Sequence, residues 1–160
     1  MTCMGIDPGI ASTGVAVLEM NAQRPKILHQ SVISTSSTEP IEHRLNHIYT
    51  TCCLLIKEYN VRAIALEKLY FGINVSSAFA VSEAIGVIRL AGIHGGLSIM
   101  NYSPNEVKKC VAGIGKASKH QVNTMISIIL KIPVKNIPSH ASDAIAVALT
   151  HILSHNGVPV

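Results

Sequence analysis

The sequence predicts an α/β fold: one five-stranded mixed sheet flanked by helices on both faces. Three observations lead there. Residues 2–7, 12–19 and 26–35 read as apolar strands joined by turns too short for a crossover, which makes an antiparallel meander. Residues 39–59 and 76–94 carry helical periodicity, and each is followed by a short strand, at 62–66 and 97–102. A strand reached through a helix runs parallel to its sheet neighbour, so the fourth strand can lie beside the first.

The elements follow in order. The first strand runs through Cys3-Met4-Gly5-Ile6 and delivers one carboxylate, Asp7, before Pro8-Gly9 turns the chain. The second follows Ser12-Thr13-Gly14, and the third follows the turn-like Asn21-Ala22-Gln23-Arg24-Pro25. A helix is expected from about Glu39, with Thr38 as its cap and Pro40 in its first turn. Ile41, Leu45, Ile48, Cys52, Leu55 and Tyr59 form its apolar stripe. The fourth strand, Arg62 to Leu66, runs into Glu67. The helix over 76–94 is apolar on most sides, as a helix is when it is deeply buried or pairs with another subunit. Further helices are expected near 104–112, 119–130 and 139–154.

The chain has 160 residues, enough for one domain with a sizeable core, and nothing in it marks a boundary, so residues 1–160 read as one unit. A content of 48% hydrophobic and 14% charged residues excludes a disordered chain and makes each carboxylate in an apolar setting worth explaining. The formal charge of +4 favours an anionic partner such as nucleic acid. Cys3, Cys52, Cys53 and Cys110 form no C-x-x-C pair or regular framework, and are expected to be reduced. The N-terminus carries no secretory pattern, and the apolar stretch Ala78–Ile93 is interrupted by Ser82, Glu83 and Arg89, a poor membrane span. The expectation is a soluble, cytoplasmic protein.

Asp7 and Glu67 are expected at the carboxyl ends of neighbouring parallel strands, where open α/β sheets present their ligand sites. Cys3, Gly5 and Asp7 share one face of the first strand, and Ala63, Ala65 and Glu67 share one face of the fourth. Both acids thus sit above small residues that admit a helix closely. The last helix fits that space: His140, Asp143, Ala144, Val147 and Ala148 fall on one face, which would bring His140 and Asp143 to the two acids. His43 and His47 lie one helical turn apart but have no third ligand in view, and read as exposed helix residues. The segment around Lys116 is not a Walker loop, because Cys110 and Ala117 stand where that motif needs glycine and a hydroxyl.

Taken together, Gly5-Ile6-Asp7-Pro8-Gly9 with Thr13-Gly14, Ala65-Leu66-Glu67, Lys108, the run Gly113 to Lys119 with Gln121-Val122, and Ser142-Asp143-Ala144-Ile145-Ala146 resemble the RuvC family of Holliday-junction resolvases. The resemblance covers almost the whole chain in order. It implies a ribonuclease H-like fold, a homodimer, and Mg²⁺-dependent cleavage of four-way junction DNA by paired nicks, with Mn²⁺ as a substitute. It also implies RuvA–RuvB as partners. Asp7, Glu67 and Asp143 match the acidic metal site, and His140 stands where relatives carry Asp or His. Tyr70 matches an aromatic placed against junction bases, Asn74 a polar DNA contact, and Lys108 and Lys119 phosphate contacts. Lys116 is a further candidate from the same basic loop. Two departures stand out: Ile85 occupies the position of an arginine usual in the long helix, and the basic tail of some relatives has no counterpart before Val160.

This residue set suits the chemistry. Phosphodiester hydrolysis needs an activated water and neutralisation of charge on the phosphate, and hard cations held by carboxylates supply both. Phe71, beside Tyr70, reads as core. The alternative is a junction-binding protein of the same fold without activity, against which the intact acidic set argues. An actin-like ATPase, which shares a similar opening motif, would need a second phosphate loop and a longer chain.

Overall fold

The computed structural model describes residues 1–21, 24–68, 75–133 and 137–155, with the side chains of 75–77 excepted. The strands are β1 (Thr2–Asp7), β2 (Ser12–Met20), β3 (Pro25–Ser34), β4 (Ala63–Glu67) and β5 (Ser98–Tyr102). The helices are α1 (Ile41–Glu58), α2 (Val75–His94), α3 (Pro104–Ala112), α4 (Lys119–Leu130) and α5 (Ser139–His155). The sheet order is β3-β2-β1-β4-β5. The first three strands form the antiparallel meander, while β4 joins β1, and β5 joins β4, in parallel.

Strand alternation sorts the side chains between two cores. Met4, Ile6, Val15, Val17, Ile64 and Leu66 meet α1 and α2 through Ile48, Cys52, Leu55, Ala84 and Ile88. Cys3, Ala16, Leu18, Ala65 and Tyr102 face the other way, against α3, α4 and α5. The stripe expected on α1 is therefore its buried face. The four cysteines are free thiols, and burial pushes those of Cys3 and Cys52 up to about 12.

The start of α1 differs from expectation. Pro40 has ψ 143°, outside the helix, and no side chain caps the first turn. The Thr38 hydroxyl instead lies 2.7 Å from that of Ser36. Glu39 cannot enter a helix because the ring of Pro40 disfavours helical backbone in the residue before it, and the local hydroxyl pair competes for the cap. By contrast, α3 and α4 begin with complete capping boxes, Ser103 with Glu106 and Ser118 with Gln121. No helix among the described residues is long and apolar enough to cross a membrane.

Candidate active site

The site is built at one end of β1 and β4. Cys3 pairs with Ala63, and so on to Ile6 with Leu66, so Asp7 and Glu67 stand at the next step of the two strands. Helix α5 crosses this pair at very short range. A Cβ on Gly5 would meet the carbonyl oxygen of Ala144 and lie 2.6 Å from the Ala148 nitrogen, and one on Gly14 would strike the backbone of His140. These two glycines admit the helix, and its first turns then project His140 and Asp143 over the acids.

The geometry follows from that approach. His140 Nδ1 lies 2.7 Å from Asp7 Oδ2. Asp7, His140 and Asp143 each bring a ligand atom within 4.8 Å of the other two. Glu67 stands outside this trio but is a hydrogen-bond partner of Asp7 and feels its charge. Lys119, the first residue of α4, donates 2.7 Å to Asp143 Oδ2 and also to the Ser139 hydroxyl. Beside the acids opens a cleft of about 210 Å³ with an apolar floor including Val107 and Val122, and with Lys108 and Lys119 in its walls.

Charge in the cluster is unbalanced. Burial raises the Asp7 carboxyl above its usual range, and the charge of Asp143 adds to this, while the hydrogen bond from His140 opposes it. Glu67 is pushed up to about 7, first by burial and then by the charge and hydrogen bond of Asp7; Lys119 acts in the opposite direction. Buried carboxyls held high by desolvation and by one another form a set short of positive charge. Their oxygens are the hard donors that suit a divalent cation, with one imidazole beside them.

Of the residues singled out from sequence, the structure brings Asp7, Glu67, His140, Asp143, Lys108 and Lys119 together. Lys116 is exposed in the α3–α4 loop and does not line the cleft. Tyr70, Phe71 and Asn74 lie outside the described residues. His43 and His47 are exposed on α1. Ser139 was not anticipated, although a hydroxyl one turn before Asp143 shares its helix face and was the available signal.

A β3-β2-β1-β4-β5 mixed sheet carrying an acidic site at the ends of its parallel β1–β4 pair defines a ribonuclease H-like nuclease. The comparisons narrow this further. The family described as Crossover junction endodeoxyribonuclease RuvC matches residues 3–151. The RuvC of Treponema pallidum is 41% identical over 149 residues, 93% of this chain and 76% of that one. The RuvC of Caldicellulosiruptor saccharolyticus is 40% identical over 159 residues, 99% and 96% of the two chains. The structure of T. thermophilus RuvC in complex with Holliday junction substrate superposes with a TM-score of 0.92 at 33% identity, covering 99% of this chain and 97% of that one. The chain belongs to the RuvC family of crossover junction endodeoxyribonucleases. Membership of that nuclease family implies use of a divalent metal, for which the Asp7–His140–Asp143 group is a possible site.

Proposed function

We propose that this chain resolves four-way DNA junctions by paired, symmetrical nicks, acting in the cytoplasm as a homodimer and with Mg²⁺ as its preferred ion, Mn²⁺ substituting. The observation that carries the reading is the convergence of Asp7, Glu67 and Asp143 with His140 at one sheet end, beside two lysines. All 160 residues serve as one nuclease unit, and the RuvA–RuvB complex is the partner that would deliver junctions.

Asp7, Glu67, Asp143 and His140 would hold the cation. A divalent cation, when bound, supplies an activated water and neutralises charge developing on the phosphate. The chain's own groups do the rest. Lys119, held by Asp143 and Ser139, presents a fixed positive charge where Lys108 also lines the cleft, so a backbone phosphate is bound and oriented there. With Asp7 ionised, Nδ1 of His140 donates to its carboxylate, which fixes the imidazole over the acids and turns Nε2 away from Asp7. Nε2 is the nitrogen left to join the donor set. Tyr70 and Asn74 serve as contacts to junction bases and backbone, and Lys116 as a peripheral phosphate contact.

The decisive experiment is Asp7→Asn on a synthetic four-way junction. Nicking with Mg²⁺ should fall by about a hundred- to a thousand-fold, comparable to the loss of a principal electrostatic group. Junction binding should be retained or tightened, since one negative charge is gone. A variant that still cuts at the parent rate refutes the assignment.

A further inference from the structure

A second cleft opens on the opposite face of the sheet and shares Glu67 with the first. It has a volume of about 520 Å³ and lies between α2 and the ends of β4 and β5. Lys68 and Arg89 provide its charge, Asn101 and Ser82 its polar wall, and Ile85 and Gly86 its apolar side. Among the described residues lining it, Glu67 is the one acid. Arg89 Nη2 donates 3.0 Å to Asn101 Oδ1, which holds the guanidinium against the strand and leaves its other N–H groups without that contact. Among the described residues, no atom beyond its own stretch of helix lies within 4 Å of where a Cβ on Gly86 would stand.

Glu67 thus lies between Lys108 and Lys119 of the first cleft and Arg89 of the second, while the Lys68 ammonium stands 4.0 Å from Glu106 Oε2 near the start of α3. A polyanion with evenly spaced charges fits such an arrangement. A strand with its scissile phosphate at the acidic site would carry the adjoining phosphates towards these cations. We propose that Arg89, positioned by Asn101, binds a backbone phosphate of the cleaved DNA strand next to the scissile one. Arginine suits this role because its planar fork takes two phosphate oxygens at once. Ile85 and Arg89 stand one turn apart on the same side of the helix and line the same cleft.

The inference rests on the junction-nuclease reading, and its test separates the two. Full-length parent and Arg89→Gln would be compared on a synthetic four-way junction. Dissociation constants would be measured across a salt series in EDTA, nicking rates with Mg²⁺, and oligomeric state by sedimentation. Arg89→Gln should weaken binding about ten-fold and lower the slope of log affinity against log salt by about one, with Arg89→Lys restoring the slope. A parent that does not nick the junction refutes the nuclease reading. A parent that nicks, with Arg89→Gln matching it in affinity and slope, overturns the Arg89 site alone. Loss of affinity accompanied by dissociation of a dimeric parent also overturns it, because Arg89 would then act through subunit pairing on α2.

Discussion

Glu67 holds a proton near neutrality in the metal-free protein, because burial and the charge of Asp7 push its pKa up to about 7. The folded state therefore binds more protons than the unfolded chain between the ordinary carboxyl range and about 7. Stability falls as pH rises through that window. Glu67→Gln removes the penalty. In EDTA its melting temperature should exceed the parent's by roughly 2–4 °C at pH 8 and match it near pH 4.5. Equal melting curves at pH 8 would mean that Glu67 is not strained by its neighbours. His140 gives a second test at this scale. Exchanging its imidazole for a fourth carboxylate, His140→Asp, hardens the donor set and should lower the ratio of Mn²⁺-supported to Mg²⁺-supported nicking. The same ratio in both proteins would remove His140 from the metal site. Which acids belong together was legible in the sequence, because strand and helix periods put Asp7, Glu67 and Asp143 on converging faces. Their finer arrangement was not. Glu67's place outside the tight trio, and the bond from Lys119 to Asp143, depend on rotamers and on where α4 begins.

At the scale of elements, the approach of α5 to the sheet determines the site. The alternation of small residues on β1 and β4 foretold it, and Gly5 and Gly14 are its contact points. The competing forces are plain in Gly5→Ala. The added methyl gains little apolar burial, while the atoms it meets are helix backbone, which cannot rotate away as a side chain tip would. The helix must shift, at a cost of about 3 kcal/mol, and His140 and Asp143 move with it. Chemical denaturation should report that loss, and nicking should fall far more than junction affinity. A stable, fully active Gly5→Ala protein would mean that the contact is slack. The start of α1 shows the limit of such reading. Hydroxyl, acid and proline in Thr38-Glu39-Pro40 resemble a helix entry, yet Pro40 stays extended and the Thr38 hydroxyl goes to Ser36. Competition among neighbouring polar groups is decided by backbone angles, which composition does not reveal.

On the scale of the whole molecule, the outward face of α2 remains to be explained. Phe79, Leu90 and Ile93 are 70%, 46% and 65% exposed, and spacings of eleven and three residues put them on one side of the helix. Their other neighbours on α2, Ala84 and Ile88, are buried against the sheet, so the helix is apolar on both sides. Leaving three large apolar side chains in water forfeits burial worth roughly 1.5–3 kcal/mol each, which favours a second copy packed against this face by a two-fold operation. Such a dimer would bring two acidic sites to one junction, which paired nicking calls for. The double variant Phe79→Asp, Ile93→Asp should sediment near the 17.1 kDa of one chain. Its product on a supercoiled plasmid with an extruded cruciform should change from linear DNA to nicked circles. The reason is topological: one nick releases the supercoiling and the junction is reabsorbed before a separate second cut can occur. If the parent itself sediments as one chain, or the variant still linearises the plasmid, the exposed face of α2 is not the seam.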